Sequence, residues 1–143
     1  DEVSIDDLAA APDQTLPWTG VRNYQARNFM RDQMRIGDDV LFYHSSCPKP
    51  GIAGLARIAS GVAPDGTQFD PESPYHDPKS KPEAPRWLQL DVRFVRKTRL
   101  LALPEMRAAA ELQTMRVLQP GNRLSITPVS DTEWQGVLRL LGR

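Results

Sequence analysis

Trp18 stands directly before Thr19-Gly20, and Arg22 and Asn23 follow at once. An indole can stack on a flat heterocycle, an amide can hydrogen-bond its edge, and a guanidinium can meet a phosphate. Tyr43, His44, Ser45 and Ser46 close the apolar run that starts at Val40. Four polar-tipped side chains at the end of a buried strand suit the same task. Tyr75 and Asp77, with His76 between them, and Trp87 complete the ring and edge-reading candidates. Arg27 and Arg31 follow Arg22 on the helix that Asn23 opens, and Lys79 and Lys81 follow Tyr75; these cations are the candidates for flanking phosphates.

Each of these residues has a plainer reading. Trp18 serves equally as a core tryptophan that staples its loop. Trp87 opens a strand on its polar side, as a second wall or as a lid. Tyr43 and His44 read as well as satisfied core polar residues, and Asn23 reads also as a helix cap. Trp134 lies on the apolar stripe of the last helix and is assigned to the core. Cys47, three residues after His44, is an incidental thiol at a turn, because no third group for a triad can be located. His76 and Asp77 are more simply a polar loop pair than an acid and base. No phosphate loop, dinucleotide fingerprint, zinc-type Cys/His spacing or nucleophile elbow is present, so no metal, cofactor or catalytic residue is assigned.

The elements that must position these groups follow from pattern. Ser4 caps a short helix that carries Asp6 and Asp7 in its first turn. Ala26, Phe29, Met30 and Met34 make one stripe of a helix over Asn23 to Arg35, which Gly37 ends. Val40–Ser45 and Ile52–Ser60 read as an antiparallel pair joined by Cys47-Pro48-Lys49-Pro50-Gly51. Residues 63–85 carry six prolines and form a long loop, a length that marks function or disorder. Trp87 to Lys97 is the longest strand, alternating core and solvent. A helix over Leu103–Gln113, a strand over Arg123–Val129 and a final helix opened by the capping box Ser130-Asp131-Thr132-Glu133 complete the pattern. Together they predict one α+β domain over residues 1–143, with about five mostly antiparallel strands curled into a barrel and helices around it.

Eighteen basic and eighteen acidic side chains cancel. That excludes a binder driven by net charge alone. The basic residues nonetheless gather at 22–35 and at 93–99. A single cysteine excludes an internal disulfide and fits a reducing, cytoplasmic setting. No apolar run reaches the length of a membrane span and no signal peptide is visible, so no membrane partner is expected.

Several stretches together resemble the EVE domain family of the PUA-like superfamily. They are Ser4–Leu8, Trp18–Arg31, Gly37–Ser46, Pro50–Gly54, Tyr75–Pro78, Trp87 with Asp91-Val92, and Arg123–Val129. They run along essentially the whole chain in the family's order. The resemblance implies a PUA-like mixed β-barrel and a pocket for a single base, similar to readers of methylated adenine in RNA and of methylated cytosine in DNA. It adds Ser125 to the edge-reading candidates and Arg123 to the phosphate contacts. Family members usually open on a strand ahead of the Ser-Ile-Asp segment, and this sequence begins after that point. The expected function is a nucleic-acid-binding module, acting as a monomer, that holds a modified base of DNA or RNA in an aromatic pocket. The alternative is an enzyme or sensor for a free nucleoside or other small ligand in the same pocket.

Overall fold

The computed structural model describes residues 3–44, 48–120 and 126–142. Helix α1 (Ile5–Ala10) is only six residues long, too short to persist without help. Its capping box supplies part of that help: Ser4 Oγ accepts the Asp7 N–H at 3.0 Å, and Asp7 Oδ2 accepts the Ser4 N–H at 2.9 Å. Burial of Ile5 and Leu8 supplies the rest. Helix α2 (Tyr24–Gln33) starts where expected, because Asn23 Oδ1 accepts the N–H groups of Gln25 and Ala26. It ends two residues before Arg35, and Gly37 then takes a positive φ of 91°.

The sheet is built on one long strand, β5 (Leu88–Ala102). Strand β3 (Gly51–Ile58) pairs antiparallel with it from Gly51↔Ala102 to Ile58↔Val92. Strand β2 (Asp39–His44) pairs with β3 as the expected hairpin. Strand β1 (Thr15–Trp18) lies on the other side of β5, with Thr15 opposite Arg93 and Trp18 opposite Leu90. A two-residue strand, β4 (Ala63–Pro64), pairs with the start of β5. The order β1-β5-β3-β2 leaves β1 and β2 at opposite ends. The expected barrel is therefore corrected to an open, twisted antiparallel sheet: no pairing among the described residues joins its two ends.

Other expectations change as well. Trp18 sits on a strand and not on a loop. That strand was hidden by Pro17, which an edge strand tolerates because its N–H side needs no partner. Trp87 precedes β5 and is buried, at 5% exposure, so it does not face solvent. Trp134, assigned to the core, is only half-buried. The expected helix 103–113 shortens to α3 (Leu103–Ala108), followed by single 3-10 turns at Ala110–Leu112 and Arg116–Leu118. The expected strand 123–129 lies partly outside the described residues, and its described part, 126–129, is irregular. Helix α4 (Asp131–Leu140) carries its capping box as expected.

Two apolar clusters hold the elements. Ile5, Leu8, Val21, Ala26, Met30 and Phe42 pack α1 and α2 against the sheet, and Ile52, Leu101, Met106, Leu112 and Val137 join α3 and α4 to its far end. Close approach at the first cluster requires Gly54. A Cβ there would lie 2.6 Å from Ile5 Cδ1 and 2.9 Å from the Arg96 carbonyl oxygen. Ile5 can rotate away but the backbone oxygen cannot. Gly54→Ala should therefore destabilise the domain by about 1–3 kcal/mol, read as a lower denaturation midpoint at unchanged m-value; an unshifted midpoint would contradict the packing described.

Candidate nucleic-acid interface

The loop between β1 and α2 is held from below by Asp65, whose side chain is fully buried. Its Oδ2 accepts the Gly20 N–H at 2.8 Å and Arg22 Nη1 at 3.1 Å. Its Oδ1 accepts the Thr67 N–H at 2.8 Å and the Thr67 hydroxyl at 2.5 Å. Burial pushes the Asp65 carboxyl up, but these bonds, led by Thr67 and Gly20 and completed by Arg22, outweigh it and hold the group below the usual carboxylate range. Arg22 spends its remaining donors on the Tyr75 carbonyl, from Nε at 3.0 Å and Nη2 at 2.7 Å, and on Thr67 Oγ1 at 3.1 Å. The Tyr75 ring then lies so close to Gly20 that a Cβ would sit 2.8 Å from its Cζ. Gly20, at φ 82°, is needed both for the turn and for this contact.

A second buried amide continues the same structure. Gln68 donates to the carbonyls of Asp65 and Trp87, at 2.6 and 2.9 Å. Its Oε1 accepts from Ser80 Oγ at 2.5 Å and from the N–H groups of Trp87 and Arg86, at 3.1 and 3.2 Å. Beyond β4, the long proline-rich segment is thus held by buried side chains. Trp87 donates its indole N–H to Asp77 Oδ2 at 2.7 Å. That bond, with one from the Lys79 N–H, holds the Asp77 carboxyl below its ordinary range.

On this frame the rings and guanidinium groups form a stack. Tyr24 lies on Trp87 with centroids 4.7 Å apart and planes at 26°. The Arg22 guanidinium is 5.5 Å from the Trp87 ring and 5.7 Å from the Tyr75 ring. Arg27 sits 4.7 Å over Tyr24 and donates to the Arg86 carbonyl at 2.9 Å. Tyr24 is nonetheless 49% exposed and Tyr75 41% exposed.

Trp18 points elsewhere. It meets Phe42 edge-on, with centroids 5.8 Å apart, and lines a cleft of about 870 Å³. Phe29, Tyr43 and Trp134 add rings to that cleft, and Gln33, Thr127 and Asp131 bring polar groups to it.

The predicted residues therefore divide. Arg22, Arg27, Tyr75, Asp77 and Trp87 come together, but largely consume one another's bonding capacity. Trp18 and Tyr43 line the cleft. Asn23 is spent on its cap. His44 Nε2 accepts the Ile5 N–H at 3.0 Å and so pins α1 to β2. Arg31 is paired with Asp32 at 2.8 Å. Lys79 and Lys81 are exposed on either side of the buried Ser80. Ser45, Ser46, Arg123 and Ser125, like Cys47, lie outside the described residues. Sequence reasoning missed Asp65 and Gln68, although Asp65-Gly66-Thr67 carries the mark of an Asx turn. It also missed Tyr24, which directly follows the cap Asn23. Among the described residues no group of His, Cys, Asp and Glu is arranged to hold a metal ion, and no helix is long and apolar enough to cross a membrane.

An open antiparallel sheet with four helices, a cleft and a separate cation–aromatic stack define a small α+β domain with a ligand-sized recess. The chain belongs to the EVE domain family, whose model matches residues 1–140. Human thymocyte nuclear protein 1 is 46% identical over 146 residues, covering 96% of this chain and 64% of that protein. The chain spans less than two thirds of the length of the curated thymocyte nuclear proteins it matches. The crystal structure of human THYN1 in complex with 5-methylcytosine-containing DNA superposes with a TM-score of 0.93 at 44% identity, over 99% of this chain and 87% of that one. A Pseudomonas putida crystal structure matches at TM-score 0.91 and 45% identity, over 96% and 91% of the two chains.

The Asp65 lock gives a signed expectation. A carboxyl whose folded pKa is depressed stabilises the fold above its unfolded pKa, and that stability is lost as pH falls through the folded value. Asp65→Asn should cost about 3 kcal/mol at neutral pH, since it leaves Arg22 without its buried anion. The gap to the unsubstituted protein should close as pH drops below about 4, near the unperturbed carboxylate value. Denaturation midpoints measured across pH check this; a gap constant down to acid pH would contradict it.

Proposed function

We propose that this domain binds nucleic acid and reads a modified base in the cleft lined by Trp18. The observation that supports the proposal is the cleft itself: Trp18, Phe29, Phe42, Tyr43 and Trp134 are among its lining residues, as are Gln33, Thr127 and Asp131, and it offers about 870 Å³ of space. That volume falls within the range of roughly 300–1,000 Å³ that small ligands occupy in proteins. A base extruded from its strand fits such a recess, with Trp18 stacking on it and Tyr43 within reach of its edge. Methylated cytosine in DNA is the first candidate, because the similar human protein was crystallised with DNA containing that base.

The alternative, turnover of a free nucleoside, finds less support. His44 Nε2 already accepts a backbone N–H, and the Asp77 carboxylate already accepts the Trp87 indole and the Lys79 N–H. Proton transfer by either group would first require those bonds to break.

Binding of two duplexes that differ only in one 5-methylcytosine tests the proposal. The modified duplex should bind more tightly. Trp18→Ala should weaken that binding by roughly tenfold or more, corresponding to about 1–3 kcal/mol of stacking, while Trp18→Phe retains most of it. Equal affinity for both duplexes, together with equal affinity for matched RNA with and without a methylated base, would reject the reading.

A further inference from the structure

We propose that Tyr24, Arg27, Lys79, Lys81 and Arg86 form a docking surface for the nucleic-acid backbone, separate from the cleft that reads the base. The inference rests on the nucleic-acid reading above and assigns to these residues affinity without discrimination.

Proximity is set by a chain of bonds. Arg27 donates to the Arg86 carbonyl at 2.9 Å. The Arg86 N–H donates to Ser80 Oγ at 2.9 Å, and Ser80 lies between Lys79 and Lys81. The Lys79 N–H donates to Asp77, which holds the Trp87 indole, and Trp87 carries Tyr24 on its ring. The backbone positions that carry the five side chains are therefore tied together, stitched by buried Gln68.

Charge separates this surface from the other basic cluster. On β5, Arg93 pairs with Asp13 at 3.3 Å, Lys97 with Asp6 at 3.1 Å and Arg99 with Glu105 at 2.7 Å. Those three cations are matched by carboxylates, and Arg96 between them has its Nε and Nη2 buried away from solvent. Among the described residues Arg27, Lys79 and Lys81 have no carboxylate in ion-pair contact, and Arg86 reaches Asp77 only at 4.0 Å. Two exposed lysines and two half-buried arginines around a rigidly held ring offer what a phosphate backbone and an unstacked neighbouring base require. Tyr24 meets the second need at its open edge: the ring is 49% exposed, although it stacks on a buried tryptophan and carries the Arg27 guanidinium 4.7 Å over it. A neutral protein can thus carry a local cationic rim without a basic pI.

The test measures duplex affinity against salt for Lys79→Gln/Lys81→Gln, Tyr24→Ala, Tyr24→Phe and Lys97→Gln, with thermal melting to confirm folding. The double lysine variant should weaken modified and unmodified duplexes by the same factor and flatten the slope of log K against log salt by about one per lysine. Tyr24→Ala should weaken both by roughly fivefold or more, and Tyr24→Phe should restore binding. Lys97→Gln should leave slope and affinity unchanged. If the unsubstituted protein prefers the modified duplex while the lysine and Tyr24→Ala variants keep wild-type affinity and slope, the docking surface is refuted and the reader stands. If it binds both duplexes equally and the variants lose affinity as described, the docking surface stands without the reader. No binding to any nucleic acid overturns both.

Discussion

The functional face depends on one buried carboxylate. Asp65 ties Gly20 and Arg22, at the mouth of α2, to Thr67 in a segment more than forty residues away in sequence. A buried charge is tolerated only when it is paired and its lone pairs are filled, and here four donors fill them. The consequence is positional. Once Arg22 is fixed on Asp65 and the Tyr75 carbonyl, Tyr75 is pressed on Gly20, Trp87 is closed over, and Tyr24 is left on top. Gln68 does the same for the other end of the proline-rich segment. Neither side chain touches the cleft; together they hold the cation–aromatic rim that stands apart from it.

The fold follows a division between local and distant causes. The Ser4 cap, the capping box at Ser130, the Asn23 cap and the β2–β3 hairpin were readable because each depends on residues a few positions apart. The extent of β1 was not, since a four-residue strand containing proline exists only by pairing with β5. Closure into a barrel was expected from the pattern of strands and again from the resemblance, and the described residues form an open sheet instead. Family membership, in contrast, was readable from the order of many weak matches along the chain.

The candidate site was readable as a set of residue types but not as a division of labour. Sequence placed Trp18, Trp87 and Tyr75 side by side as stacking walls. The structure separates them: Trp18 lines the cleft, while Trp87 is buried between Tyr24 and Arg22 and bonded to Asp77. Nothing local to Trp87 announces this, because the partners that bury it come from α2 and from the loop before it. Asn23 and His44 were similarly drawn into caps and helix pinning. The polar groups of a small domain satisfy the backbone first, and what remains for a ligand is seen only after that accounting.

Trp18 and Trp87 have different duties, and their indole N–H resonances report them separately. Titration of isotope-labelled protein with a duplex containing 5-methylcytosine should shift or broaden the Trp18 indole signal. The Trp87 signal, held on Asp77 beneath Tyr24, should move little and should exchange slowly with solvent. A Trp87 signal that responds strongly while that of Trp18 stays in place would contradict the central claim that Trp18 meets the base and Trp87 only supports the rim.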